Sequence, residues 1–148
     1  MNPVEATAVA FGVASVWLTI REHAWCWPVG LVNVTLFAVL FWQSRIYGAA
    51  VLQVVYAALA VYGWHAWRHG GADHSALRVS RAPRRLLTML LAAAAAGTFV
   101  IGLGLGRYTD AALPLSDAAT TSFSLAAQAL QTRKWVETWV VWIVVDVA

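Results

Sequence analysis

Residues 25–42 read WCWPVGLVNVTLFAVLFW, 18 consecutive positions without a charged side chain. A helix of this length rises about 27 Å, close to the roughly 30 Å thickness of the hydrocarbon core of a bilayer. Polar triplets flank the run, Arg21-Glu22-His23 before it and Gln43-Ser44-Arg45 after it. The pattern therefore predicts a helix that crosses a membrane and leaves the hydrocarbon at these triplets.

Five other apolar runs show the same pattern, at residues 4–20, 49–67, 86–105, 115–130 and 135–148. Together the runs predict an all-α integral membrane protein, a multi-span helical bundle. The last run begins at Trp135, is too short to cross a bilayer and has no polar flank at its end. We therefore expect the natural protein to extend beyond Ala148.

The composition excludes several other classes of protein. Of the 148 residues, 61% are hydrophobic and 11% charged, whereas soluble domains average about 25% charged residues. A single cysteine, Cys26, excludes an intrachain disulfide framework and a multi-cysteine zinc site. The basic residues are scattered between apolar runs and form no contiguous face, so no nucleic-acid partner is expected.

The distribution of Lys and Arg predicts the orientation. If the loop from Arg68 to Arg85 is cytoplasmic, eight basic residues lie on that side, and only Arg45 and Arg107 lie on the other. Cytoplasmic loops carry such an excess, so the N-terminus is expected outside. Most tryptophans near the span ends are predicted to lie at the membrane interface: Trp25, Trp27, Trp42, Trp64, Trp67 and Trp135.

Polar side chains within the spans are the candidates for a binding site, because hydrocarbon penalises them unless they have partners. Asn33, Gln53 and Gln128 fit either a substrate site or hydrogen bonding between helices. In the last span, Trp139, Trp142 and Asp146 share one helical face, as expected for a pocket that stacks on a flat ring. Two carboxylates, Glu5 and Glu137, are instead expected to reach the membrane interface, Glu137 as an ion pair.

Motifs of soluble enzymes are missing from the sequence: there is no Walker A sequence, HExxH or GxSxG. The histidines His65, His69 and His74 lack a convincing carboxylate partner, so they are expected to be solvated, and no metal site is predicted. Asp146 and Glu137 point to opposite helix faces, which argues against a paired-carboxylate site. We therefore expect neither an enzyme nor a cofactor.

Two long segments resemble the PnuC family of bacterial vitamin transporters. One segment, residues 21–67, carries W-P-x-G-x-x-N and L-Q-x-x-Y; the other, residues 108–147, carries W-x-x-W-x-x-x-D. The resemblance implies uptake of nicotinamide riboside, an NAD precursor, by facilitated diffusion through a homotrimer in the inner cell membrane. It also implies a SWEET-like 3+1+3 arrangement of parallel repeats.

That arrangement divides the chain into a first three-helix half-repeat (1–68), a basic cytoplasmic loop with a linker helix (69–107) and an incomplete second half-repeat (108–148) whose last helix is missing. By resemblance, the substrate-binding residues are Asn33, Gln53, Tyr56, Gln128, Trp139, Trp142 and Asp146. Two alternatives stay open: a related carrier of thiamine or riboflavin, and a membrane substrate-binding subunit that does not itself transport.

Overall fold

The computed structural model describes residues 2–108 and 113–147, and the chain there is helical. The helices are α1 (Pro3–Ile20), α2 (Cys26–Gln43), α3 (Tyr47–His69), α4 (Arg84–Tyr108), α5 (Pro114–Thr132) and α6 (Glu137–Val147), with a short 3₁₀ turn at Ala72–His74. Each predicted span corresponds to one helix, with ends that differ by a few residues. The prediction of an all-α multi-span protein is confirmed.

Four of the described helices are long and apolar enough to cross a membrane: Pro3–Ile20, Cys26–Gln43, Ala49–His69 and Arg84–Tyr108. Helix α5 is less apolar than these four, because hydroxyl and amide side chains occupy many of its positions. Helix α6 is shorter, with only 11 residues. The four long helices place the protein in a bilayer.

The chain folds as two compact units, Met1–Arg78 and Val79–Ala148. In the first unit, α2 packs against both α1 and α3; in the second, α5 packs against both α4 and α6. The structure thus groups α4 with α5 and α6. The predicted division at residues 68 and 107 stays a prediction.

Three of the helices end in the same tight turn. The turn residues Glu22, Arg45 and Lys134 have φ values of 54°, 60° and 53°, a left-handed conformation that L-residues adopt at a penalty. In each turn the next residue donates its backbone N–H five residues back, at 2.9, 2.8 and 3.3 Å (His23 to Leu18, Ile46 to Phe41, Trp135 to Leu130). These bonds satisfy carbonyls at the helix end and reverse the chain into the next helix.

Hydroxyl groups join the helices of two hairpins at matching positions. Ser15 Oγ donates to the Cys26 carbonyl at 2.8 Å between α1 and α2. Thr138 Oγ1 donates to the Ala127 carbonyl at 2.8 Å between α5 and α6. In both bonds the donor and the acceptor are 11 residues apart in sequence. The donor precedes the turn in the first hairpin and follows it in the second.

The core of the first unit is aromatic. Trp27 and Trp67 are each only 3% exposed, and their rings meet edge to face with centroids 5.5 Å apart. Cys26 and Ala60 complete the buried cluster. The prediction of an interfacial position is therefore wrong for Trp27 and Trp67, because the packing of α2 on α3 turns both indoles inward. Trp25 and Trp42 are exposed near helix ends, and their position at the membrane interface stays a prediction.

Both glutamates predicted at the interface accept hydrogen bonds from the backbone. Glu5 forms a capping box with Asn2 at the start of α1. Glu137 Oε2 accepts from the backbone N–H of Ala82 at 3.0 Å. Carboxylates are favoured in the first turn of a helix, where the N–H groups are unpaired and the helix dipole is positive.

Candidate functional site

The aromatic face of α6 is the most distinctive surface of the second unit. Trp139, Trp142 and Asp146 follow one another at steps of three and four residues, so they lie on one side of the helix. Trp139 is 39% exposed, Trp142 is half-buried and Asp146 is exposed. The face therefore presents two indoles and a carboxylate that other molecules can reach.

A hydrogen bond from α5 holds the central tryptophan of this face. Trp142 Nε1 donates to Gln131 Oε1 at 3.2 Å. Helical side chains tilt toward the N-terminus of their helix, so the Trp142 ring reaches back toward the α5–α6 turn, where Gln131 lies. Because its N–H is already paired, Trp142 offers a ligand the faces of its ring.

Gln128 lies one turn before Gln131 on α5 and is half-buried. The two amides are three residues apart, so they share a face of the helix. Among residues 2–108 and 113–147, the side chain of Gln128 has no hydrogen-bond partner, and its amide can both donate and accept. Gln131 was not predicted as a site residue, although its spacing from Gln128 is a signal that the sequence contains.

In the first unit, one end of the Asn33 side chain takes part in the packing of α2 against α1. Asn33 Nδ2 donates to the Ala8 carbonyl of α1 at 2.7 Å. Gly12 allows this approach, because a Cβ at that position would stand 2.9 Å from Nδ2. The carboxamide oxygen of Asn33 has no partner within the part of the chain that the structure describes. Its nitrogen therefore joins two helices, while its oxygen can accept from a ligand.

Gln53 and Tyr56 lie three residues apart on α3 and are both half-buried. The side chain of Gln53 has no hydrogen-bond partner among the described residues, whereas Tyr56 takes part in an interaction of its own. Asn33, Gln53 and Tyr56 together supply amide and phenol groups to the first unit. These groups can bind hydroxyls or a carboxamide.

The α6 face and the amide and phenol side chains described above carry chemical groups suited to binding a ligand. Indole faces attract flat and cationic rings, the carboxylate adds a negative charge, and the amides bind polar substituents. In the described residues, no group of three or more His, Cys, Asp or Glu side chains could hold a metal ion. The predicted site residues thus lie in two sets, one in each unit.

The chain matches known membrane transporters along nearly its whole length. It is 27% identical to the nicotinamide riboside transporter PnuC of Escherichia coli (strain K12) over 169 residues, which cover 97% of this chain and 71% of that protein. It is 31% identical to the riboflavin/roseoflavin transporter RibM of Streptomyces davaonensis, over 91% of this chain and 64% of that protein.

A solved structure has the same fold. The crystal structure of the vitamin B3 transporter PnuC superposes with a TM-score of 0.76 at 25% identity, covering 97% of this chain. The chain spans 63% of the length of that solved chain. The model of the nicotinamide mononucleotide transporter family matches residues 2–148. The relatives are named as transporters, not enzymes, and the chain belongs to the nicotinamide mononucleotide transporter family.

Proposed function

We propose that this chain carries nicotinamide riboside across the membrane. The observation that carries the proposal is the α6 face, on which Gln131 orients Trp142 between Trp139 and Asp146. Nicotinamide riboside contains a flat, positively charged pyridinium ring, and such a ring is attracted to indole faces and to a carboxylate. PnuC relatives named for this substrate support the assignment.

The half-buried polar groups of each unit are proposed as further substrate-binding groups. The carboxamide oxygen of Asn33 and the side chains of Gln53, Tyr56 and Gln128 offer donors and acceptors within largely apolar helices. Ribose hydroxyls and the nicotinamide amide need such partners once they leave water, because an unpaired polar group is costly there. The indoles of α6 are thus proposed as a stacking surface, and the amide and phenol groups as hydrogen-bonding groups.

Transport is proposed to proceed by facilitated diffusion through a homotrimer in the inner membrane, with the N-terminus outside. The orientation is supported by the excess of basic residues in alternate loops. The trimer and the energy-independent mechanism rest on the resemblance to PnuC proteins. Transport of this kind requires no nucleotide and no second kind of protein.

Riboflavin is a second candidate substrate. The observation that favours it is the relative RibM, which is 31% identical over 91% of this chain. Riboflavin also combines a flat ring system with a hydroxylated chain, so the same indoles and amides would serve it. The two substrates differ in charge: the pyridinium ring is cationic, whereas the riboflavin ring is neutral. Asp146 should therefore matter more for nicotinamide riboside.

Counterflow in liposomes tests the proposal directly. Vesicles that contain the 148-residue chain and unlabelled nicotinamide riboside, without nucleotide, should accumulate labelled nicotinamide riboside from outside. Riboflavin and thiamine in excess should compete weakly. Accumulation of labelled riboflavin instead would favour the second candidate, and failure to exchange any of the three would contradict the assignment.

Matched tryptophan variants locate the site. Trp142→Ala should weaken substrate affinity by about 5- to 30-fold, since a partly desolvated contact between a cation and an indole face is worth roughly 1–2 kcal/mol. Trp42→Ala is the control, because Trp42 is exposed at the end of α2 and outside the proposed site. An equal loss in both variants would show that the α6 face has no special role.

A further inference from the structure

One end of the second unit carries five basic side chains. Arg81, Arg84 and Arg85 lie just before and at the start of α4, and Arg133 and Lys134 form the turn between α5 and α6. We call these five residues the basic end. Helix α4 packs against α5, and the α5–α6 turn follows the end of α5.

Three hydrogen bonds tie the two parts of the basic end together. Ser80 N donates to the Lys134 carbonyl at 3.2 Å, and Val136 N donates to the Ser80 carbonyl at 3.0 Å. Two residues further on, Ala82 N donates to Glu137 Oε2 at 3.0 Å. Arg81 is therefore held between two anchored residues beside the turn, and the segment leading into α4 has a fixed course.

The arginines of this segment are available to a ligand. Arg81, Arg84 and Arg85 are exposed, and none of their guanidinium groups has a hydrogen-bond or ion-pair partner among residues 2–108 and 113–147. The carboxylate of Glu137, which lies beside this segment, accepts from the backbone N–H of Ala82. Exposed arginine side chains that have no ion-pair partner among the described residues attract anions.

Exposed apolar side chains continue directly from the basic end. Leu86 and Met89 on the first turns of α4 are 49% and 67% exposed, and Val140 on α6 is 63% exposed. Helix α4 is also one of the four helices suited to cross a membrane. Cations followed by an exposed apolar surface match the two parts of a phospholipid, a charged headgroup and acyl chains.

We propose that the basic end binds the phosphate headgroup of an anionic phospholipid, with the acyl chains along the exposed side chains of α4. Arginine suits this ligand because its planar guanidinium donates two parallel hydrogen bonds to phosphate oxygens. The bonds to Ser80 and Glu137 organise the arginines before lipid binds. A soluble phosphate anion would use the same cations but would gain nothing from the apolar surface.

Titration of the purified 148-residue chain in neutral detergent tests this site, with phosphatidylglycerol retention measured by native mass spectrometry. Arg84→Gln/Arg85→Gln should weaken the apparent affinity by about 30-fold, as expected for two cations near a membrane surface. The matched control, Arg45→Gln/Arg107→Gln, removes the same charge elsewhere in the chain and should leave the affinity unchanged. Equal losses in the two variants would overturn the proposal.

Two substitutions of Glu137 separate an organised site from general electrostatic attraction. Glu137→Gln and Glu137→Ala remove the same negative charge, but only Gln keeps an oxygen that accepts from Ala82. If the hydrogen bond organises the arginines, Glu137→Ala should bind phosphatidylglycerol several-fold more weakly than Glu137→Gln. Equal or tighter binding by Glu137→Ala would refute an organised site.

Competition experiments identify the source of the phosphate group. Phosphatidylcholine should bind much more weakly than phosphatidylglycerol, because its headgroup has no net charge. Glycerol 3-phosphate and inorganic phosphate should not displace phosphatidylglycerol at millimolar concentration. Displacement by either soluble anion would assign the basic end to a soluble phosphate ligand and overturn the lipid proposal.

Discussion

Gly63 on α3 lies where the structure leaves no room for a methyl group. A Cβ at Gly63 would stand 2.5, 2.6 and 2.7 Å from the Cζ2, Cη2 and Cε2 atoms of Trp27. The indole cannot retreat easily, since Trp27 is 3% exposed and packs edge-on against Trp67 with ring centroids 5.5 Å apart. Gly63→Ala must therefore displace a buried aromatic ring or separate α2 from α3.

Two opposing effects set the expected size of this change. Replacing Gly by Ala inside a helix stabilises it by about 0.8–1 kcal/mol when the methyl group has space. Overpacking a close-packed core typically costs about 1–3 kcal/mol. Because the opposing Trp27 ring is buried and lies 2.5–2.7 Å away, the overpacking cost should lie in the upper part of this range, about 2–3 kcal/mol. We therefore expect Gly63→Ala to lower the free energy of unfolding by about 1–2 kcal/mol, which corresponds to a fall of roughly 2–8 °C in the thermal midpoint.

Thermal unfolding of the purified chain in detergent, followed by tryptophan fluorescence, measures this change. Gly104→Ala on α4 is the matched control, because a Cβ there meets nothing within 4 Å. The control should raise the midpoint slightly through helix propensity alone. A rise of the same size in Gly63→Ala would refute the close contact between Gly63 and Trp27.

A double substitution tests the contact from the other side. Trp27→Phe shortens the ring that opposes Gly63, and no hydrogen bond is lost, since Trp27 Nε1 is buried without a partner among the described residues. The added methyl group then fills part of the space that the smaller ring leaves. Gly63→Ala/Trp27→Phe should be at least about 1 kcal/mol more stable than the sum of the two single effects predicts. Additive effects would contradict the packing argument.

Two further predictions concern the helix connections. Thr138→Val removes the hydroxyl that donates to the Ala127 carbonyl at 2.8 Å while keeping the shape, so the free energy of unfolding should fall by about 1 kcal/mol; an unchanged thermal midpoint would contradict this. Arg45 adopts a φ of 60°, so Arg45→Gly should raise the free energy of unfolding by about 1 kcal/mol by removing the left-handed penalty. Arg45→Ala, which keeps the Cβ, should show no such gain in the same thermal assay.

The helices were predictable because hydrophobic length is a local property. The run at residues 25–42 indicates a span without reference to the rest of the chain, and it forms α2. The turn residues Glu22, Arg45 and Lys134 were less predictable. Left-handed turns usually contain glycine, and the sequence offers charged residues at these positions instead.

The candidate site was predictable in part. The stripe formed by Trp139, Trp142 and Asp146 follows from helical spacing alone, since side chains three and four residues apart share a face. The hydrogen bond from Trp142 to Gln131 does not follow from it, because it depends on how α6 packs against α5. For Asn33, the sequence allowed helix packing or ligand binding, and the structure commits its nitrogen to Ala8.

The sequence by itself determined that this is a multi-span helical membrane protein, because bilayer thickness sets the length of each apolar run. Its motifs also sufficed to identify the family. Only the tertiary structure decided which indoles are buried. Trp25 and Trp27 have nearly the same neighbours in sequence, yet only Trp27 faces α3. Likewise, Glu137 accepts from Ala82, 55 residues away, because such pairings depend on the packing of distant segments.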